Sequence, residues 1–344
     1  MIGNNSSILI VEVGGIGDVV MSIPAVRNLR QNYPYSYIAV LIARRAKPLL
    51  RNCPYINDVF TLEIENFTFS RYALNLYDTA KSLKTIISLR RKGFELAINF
   101  HRIASFWGSL RMRLLFKTIR PKKGVGRDTD RRGTFYDIKL EENIDDSEHE
   151  VTRKLRLINM LGVPTDNQGL ELWVDSEDND YVDKLFSQLG ITNNDLVIGI
   201  NPNSAQAPKL WEGKKFARLS DALSDKYKAK ICFLGSMKNK KRIKGILSLA
   251  KNRYIDLSGK LTLNQYIALV QKIKAFITLD SGPMHIASVF KVPTIALFGP
   301  GNPSKFGPYH NEKALILKKK KMSAIGVNEV MDLFDSLVNK YNII

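Results

Sequence analysis

Two cysteines are all that the 344 residues contain, Cys53 and Cys232, and both sit among apolar neighbours. That scarcity excludes a disulfide framework and a zinc site built on cysteine spacing, and it points to reduced, buried thiols in a cytoplasmic protein. Also missing is any run of eighteen apolar residues, so no segment is expected to span a bilayer. The N-terminus lacks a basic stretch followed by an apolar run and a small-residue cleavage site, which argues against a secretory signal. There is no short-period repeat, and the one low-complexity tract is the lysine run at 318–321, expected as a solvated turn with a phosphate contact as the alternative.

Acidic residues are the other shortage: 33 Asp and Glu against 52 Lys and Arg give a formal net charge of +19. The excess is uneven. Residues 90–132 hold thirteen basic side chains against three acidic, whereas residues 133–165 hold four against seven. A localised basic zone suits a phosphate-bearing partner, whether nucleic acid, anionic lipid or a phosphorylated glycolipid. The alternative is basic residues acting only as solubility filler. A content of 44% apolar and 25% charged is that of an ordinary globular protein, and the length exceeds one α/β core, so two domains are expected.

Along the chain, apolar runs alternate with helical spacings. Residues 7–13 read as a buried strand ending in Gly14, Gly15 and Gly17; from Asp18 one helix is expected, closed by Pro34. Strands follow at 37–42, 59–62 and 96–100, with helices through 49–51 and over 72–92. The pattern restarts with strands at 196–200, 230–234, 275–279 and 294–298. Helices over 214–227, 239–250, 265–273 and 282–290 separate them, and an amphipathic helix covers 326–339. Such alternation is the signature of parallel sheets covered on both faces, here in two α/β halves joined near 162–171.

Three constellations carry chemistry. The first is Gly14-Gly15-Ile16-Gly17-Asp18 at a strand-to-helix turn. It fails as a dinucleotide fingerprint, because Val20 stands where the third glycine belongs. Asp18, at the first turn of a helix on the carboxyl edge of a sheet, is placed to accept a proton; the competing reading is a helix cap. The second is Asp280-Ser281-Gly282-Pro283-Met284-His285 after the strand at 275–279. Proline is tolerated in a first helical turn, whose amides with the Ser281 hydroxyl make a pyrophosphate site. Otherwise Asp280 or Ser281 caps the helix and His285 packs on the sheet. The third is Asn201-Pro202-Asn203-Ser204 with Lys209 and Trp211, a loop offering donors and an ammonium to a departing phosphate, or simply a solvated lysine. Two Asp-x-Asp triplets, at 128–130 and 178–180, are read as surface, the first neutralised by Arg127, Arg131 and Arg132, rather than as cation sites.

Together these blocks resemble glycosyltransferase family 9, the lipopolysaccharide heptosyltransferases. The resemblance runs through Ile8-Leu9-Ile10-Val11, Gly17-Asp18-Val19-Val20, Pro24-Ala25 and Leu29-Arg30, then His149-Glu150-Val151 and the helix to Leu161-Gly162. It continues through Asn201-Pro202, Lys209-Leu210-Trp211 and Phe216. Asp280 to Ala287, Val292-Pro293-Thr294 and Leu297-Phe298-Gly299-Pro300 form its most specific stretch. The resemblance implies a GT-B fold of two Rossmann-like parallel-sheet domains facing across a cleft. Residues 1–165 would bind the acceptor and 166–326 the nucleotide sugar, and a last helix at about 327–344 would return to the first domain. It implies inverting, metal-independent transfer of a heptose from ADP-heptose to a lipopolysaccharide inner-core or lipid A-linked acceptor, without a cofactor. Asp18 would be the general base, near the glycine turn of Gly14, Gly15 and Gly17. Lys209 would neutralise the diphosphate. Asn201, Ser204, Asn239, Asp280, Ser281, Gly282, Pro283, Met284 and His285 would bind the donor.

One departure stands out. The loop after 230–234 reads Met237-Lys238-Asn239-Lys240-Lys241, without the family's acidic residue for the ribose hydroxyls, which leaves the donor open. Arg111, Arg113, Lys117, Arg120, Lys122 and Lys123 would meet acceptor phosphates or an anionic inner-membrane surface, placing the protein peripherally on its cytoplasmic face. An ordinary amphipathic helix is the competing reading of that segment. No nucleic acid is expected as partner, since no recognised binding module or strand-borne stacking aromatics accompany the charge.

Overall fold

The computed structural model describes residues 5–63 and 76–343. The chain divides into two compact units, Met1–Trp173 and Val174–Ile344. The first contains β1 (Ser7–Glu12), α1 (Ile16–Val20), α2 (Ile23–Asn32), β2 (Tyr37–Ala43), a 3-10 segment (Arg44–Leu50), β3 (Asp58–Leu62), α3 (Leu76–Lys92), β4 (Leu96–Asn99), α4 (Phe106–Ile119), β5 (Lys123–Thr129), β6 (Ile138–Glu142) and α5 (Glu150–Asn159). The second opens with α6 (Ser176–Gln188), β7 (Val197–Asn201), α7 (Gly213–Tyr227), β8 (Lys230–Phe233), α8 (Lys240–Leu247), β9 (Ile255–Asp256) and α9 (Leu263–Lys272). It closes with β10 (Ala275–Leu279), α10 (Gly282–Val289), β11 (Thr294–Phe298), α11 (Pro303–Phe306), β12 (Ala314–Lys318) and α12 (Val327–Tyr341).

Each unit is built on one six-stranded sheet, ordered β3-β2-β1-β4-β5-β6 and β12-β11-β10-β7-β8-β9, with parallel pairing throughout. Helices cover both faces, so strands such as β1, β10 and β11 are apolar along almost their whole length rather than alternating. In each sheet the chain starts in the middle, builds outward, and returns on the other side. The order reverses between β1 and β4 in the first sheet and between β7 and β10 in the second. Open α/β sheets bind ligands outside the carboxyl ends of strands at such a reversal. That rule selects Glu12 to Asp18 and Asn99 to His101 in one unit, and Asn201 to Ser204 and Asp280 to His285 in the other.

Several expectations change. The single helix from Asp18 is two, because Pro24 in the first turn of α2 lacks the amide that would continue α1. Residues 44–50 form a 3-10 segment where a helix through 49–51 was expected. Strands β5, β6, β9 and β12 are additional to those read from the sequence. The helix at 72–92 is present as Leu76–Lys92; its portion at 72–75 lies outside the described residues.

The stretch 166–173 belongs with the first unit rather than the second. Arg27, buried on α2, reaches Glu171 at 2.9 Å and the Gly169 carbonyl at 2.7 Å, and the Asn28 amide donates to the Asn167 carbonyl at 2.7 Å. The last helix, α12, packs on α7, β11 and β12 of its own unit through Val330, Phe334 and Leu337. The two cysteines are buried as expected, and desolvation pushes both thiols up to about 12.

Candidate active site

At the first reversal, β1 ends on Glu12 and the chain turns through the glycines into α1. The Gly15 amide donates to Asp18 Oδ2 at 2.6 Å, one half of a capping box, since the glycine has no side chain to complete the other. A Cβ on Gly14 would stand 2.4 Å from that oxygen, so glycine is required where backbone and carboxylate approach this closely. Asp18 is therefore a cap, and it is also half-exposed at the carboxyl edge, where an acceptor hydroxyl could reach it.

Beneath the loop lies a buried charge cluster. Lys154 Nζ on α5 donates to Glu12 Oε2 at 2.8 Å, to Ser22 Oγ at 2.9 Å and to the main-chain oxygen of Asp18 at 2.7 Å. Glu12 Oε1 accepts from the Gly14 amide at 3.1 Å and lies 3.3 Å from His101 Nδ1. Burial alone would raise the Glu12 carboxyl. The Lys154 ammonium and His101 outweigh it and hold the group well below the usual carboxylate range. His101 follows β4, so both strands at the reversal contribute to one site.

A second buried cluster clamps α5 to the sheet. Arg127 on β5 pairs with Glu142 at 3.0 Å and Glu150 at 2.5 Å, and Arg153 reaches Glu142 at 2.6 Å. This corrects half of the reading of the first Asp-x-Asp triplet as a neutralised surface turn; Arg132 does pair with the partly exposed Asp130 at 2.9 Å. Asp128 is buried and accepts from the Gly133 amide at 2.7 Å, while Arg127 serves the glutamates. Asp178 of the second triplet is buried as well.

The six basic residues of the 111–123 stretch separate. Arg111, Arg113 and Lys117 lie along α4, but Arg120 ends that helix and Lys122 and Lys123 enter β5. Those last three occupy the amino edge of the sheet, away from the carboxyl edge that carries Asp18, and Lys122 pairs with Glu95 at 2.9 Å. A role gripping an acceptor at the carboxyl edge is thus not open to them.

At the second reversal, Lys209 Nζ lies 2.6 Å from Asp280 Oδ2, and 6.0 Å from the centroid of the Phe306 ring. Asp280 and Ser281 do not cap α10 through their side chains; the Ser281 hydroxyl donates to the Leu279 carbonyl at 3.2 Å. Asp280 instead fills a cradle at Gly301, where a Cβ would come within 1.9 Å of Oδ2. Lys318 holds that loop, donating to the Gly301 carbonyl at 2.8 Å and to the Gly299 carbonyl, so the lysine run begins as a structural strut rather than a solvated turn.

The loop at 201–211 is equally well held. Asn201 Nδ2 donates to the Tyr266 hydroxyl at 3.0 Å, and its Oδ1 accepts from the Asn203 main chain and side chain at 3.1 Å. Arg242 donates to the Pro202 and Trp211 carbonyls at 3.2 and 2.6 Å, and the buried Trp211 indole donates to the Ile325 carbonyl at 3.1 Å. Asn201 therefore shapes the loop from within.

Among the other expected donor contacts, Ser204, Gly282 and Pro283 are partly exposed at the edge and His285 is buried on α10. Met284 is wholly buried against Ala296 and Phe298, so its side chain serves the core instead of a ligand. The Asn239 carboxamide oxygen accepts from the Ser236 amide at 3.0 Å and its hydroxyl at 2.8 Å.

Glu12, Lys154, His101, Arg242 and Gly301 were not singled out in the sequence. A lone acid ending an apolar strand, and a lysine on the apolar face of α5, are the signals that a buried pair had to exist.

Two Rossmann-like units, each a six-stranded parallel sheet with one reversal of strand order, are those of the GT-B class of sugar-transferring folds. Residues 83–331 match the model of glycosyltransferase family 9 (heptosyltransferase). The chain belongs to that family and is a glycosyltransferase. It is 29% identical over 322 residues to lipooligosaccharide heptosyltransferase 2 of Haemophilus ducreyi, covering 90% of this chain and 88% of that one. The fold is similar to that of a glycosyl transferase family 9 protein from Veillonella parvula, with a TM-score of 0.80, 22% identity and coverage of 98% and 100%. It is also similar to E. coli ADP-heptose lps heptosyltransferase II, with a TM-score of 0.75, 22% identity and coverage of 98% and 99%.

Proposed function

We propose that this protein moves a heptose from ADP-heptose onto a lipopolysaccharide inner-core acceptor, by inverting, metal-independent transfer at the cytoplasmic face of the inner membrane. Asp18 takes the proton from the acceptor hydroxyl as its oxygen attacks the anomeric carbon. The sugar–phosphate bond breaks, and Lys209 with the first turn of α10 stabilises the departing diphosphate. The observation that carries the reading is that each unit of a family-9 chain holds one half of the chemistry at its own reversal, a held, partly exposed carboxylate in the first and an ammonium in the second. The experiment is transfer from ADP-heptose to a lipid A-linked inner-core acceptor, with product configuration read by NMR and the assay repeated in a chelator. An inverted product at undiminished rate supports the reading; retention of configuration or loss of rate in chelator opposes it.

A second reading, a different nucleotide sugar, draws on the loop after β8. No carboxylate stands at 237–241, and the Asn239 oxygen is already engaged by Ser236. A thermal-shift screen across ADP-, GDP- and UDP-sugars separates the two, since a ligand raises the melting temperature in proportion to its occupancy.

A further inference from the structure

Helix α4 is anchored to the core by Met112, Phe116 and Ile119, and Phe116 meets Tyr136 edge-on with ring centroids 5.1 Å apart. At about 100° per residue, the opposite face should be polar in a helix that has already buried its apolar stripe. It is not. Phe106, Trp107, Leu110 and Leu114 occupy it, with 71%, 57%, 39% and 54% of their surfaces exposed. They fall within about 100° of arc, centred nearly opposite the buried side. Lys117 lies within the same sector and Arg113 borders it, about 20° outside, and α4 contains no acidic residue. Helix α3 packs beside α4 and adds Leu83 and Ile87, one turn apart and exposed, with Lys84, Arg90 and Arg91 also outward.

We propose that this α3–α4 face is a docking surface for an anionic lipid bilayer. Charge and chemistry together favour lipid over the alternatives. Large apolar groups interleaved with cations only, and a Phe-Trp pair at one helix end, fit a headgroup boundary, where aromatic rings and basic side chains both gain. No described helix is long and apolar enough to cross a membrane, so the contact lies in the plane of the surface. Burying α4's outward side chains in lipid adds apolar contact, while Arg113 and Lys117 stay at the phosphate level. The proposal does not depend on which sugar is transferred.

The test is flotation of the full chain with vesicles of phosphatidylcholine alone or with roughly a third phosphatidylglycerol, with donor and acceptor both absent. Wild-type protein is expected to bind the anionic vesicles at least about tenfold more tightly, losing that preference in high salt. F106S/W107S/L110S/L114S is expected to bind at least about tenfold more weakly, with an unchanged melting temperature and unchanged transfer to a delipidated acceptor. R113Q and K117Q each cost about fivefold on anionic vesicles. Absence of wild-type binding, or equal binding by the quadruple variant, overturns the proposal. So does a concentration-dependent dimer that the quadruple variant abolishes, which would make the face a contact between copies. A failed donor assay leaves the vesicle result standing, so the two readings fail separately.

Discussion

Lys154 and Glu12 form an ion pair 2.8 Å long inside the first unit, and the same ammonium donates to the main-chain oxygen of Asp18 at 2.7 Å. The pair thereby fixes the turn that carries the proposed base, from a helix more than a hundred residues further along the chain. Removing one partner of a buried pair typically costs about 3–5 kcal/mol. Lys154→Met is expected to lose stability on that scale and to lower transfer through disorder of the turn. Glu12→Gln/Lys154→Met should recover part of the stability, because no charge is then left uncompensated. Urea unfolding of the two variants beside the wild type checks both statements.

The same pair sets a pH dependence. Glu12 is held below its ordinary value of 4.5, so its contribution to stability is complete above that pH and is lost as the pH falls toward the folded value. Glu150, which burial would raise, is held low by Arg127 and acts in the same direction. Thermal midpoints measured from about pH 7 down to pH 3 should fall steeply below 4.5 in the wild type. In Glu12→Gln the fall should be shallower.

Lys209 and Asp280 call for a paired experiment. Lys209→Met leaves a buried carboxylate without its ammonium beside the expected diphosphate. Transfer is expected to fall by about 10²–10³, with weaker ADP binding by calorimetry. Lys209→Met/Asp280→Asn removes the stranded charge and should regain ADP affinity without regaining the rate. Equal ADP affinity in the single and double variants would show that Asp280 does not face the nucleotide.

Two glycines are required by carboxylates rather than by backbone angle. Alanine at Gly14 brings Cβ to 2.4 Å from Asp18, and at Gly301 to 1.9 Å from Asp280. Each substitution is expected to displace its carboxylate. Gly14→Ala should suppress transfer while sparing ADP binding, and Gly301→Ala should weaken ADP binding. Steady-state kinetics alongside calorimetry separates these outcomes.

Much of this was legible in the sequence, for identifiable reasons. Strands such as β10 and β11 are uninterrupted apolar runs, and their bounds were read without error because a parallel strand covered on both faces leaves no polar break. Strand β5 was not read, since Lys-Gly-Val-Gly-Arg-Asp-Thr looks like a loop; its Arg127 is buried only because Glu142 and Glu150, from β6 and α5, meet it there. The split between α1 and α2 was signalled by Pro24 and overridden by the apolar spacing. At the site, Asp18 and Asp280 were visible from their place after strands. Lys154 was not, because its partner lies 142 residues away and only the folded chain brings them together.

The most direct test of the central claim is Asp18→Asn, which retains an oxygen to accept the Gly15 amide and so keeps the cap while removing the base. Transfer should fall by about 10²–10⁴, with ADP affinity and melting temperature close to wild type. Transfer within a few-fold of wild type in a folded, nucleotide-binding variant would contradict the account.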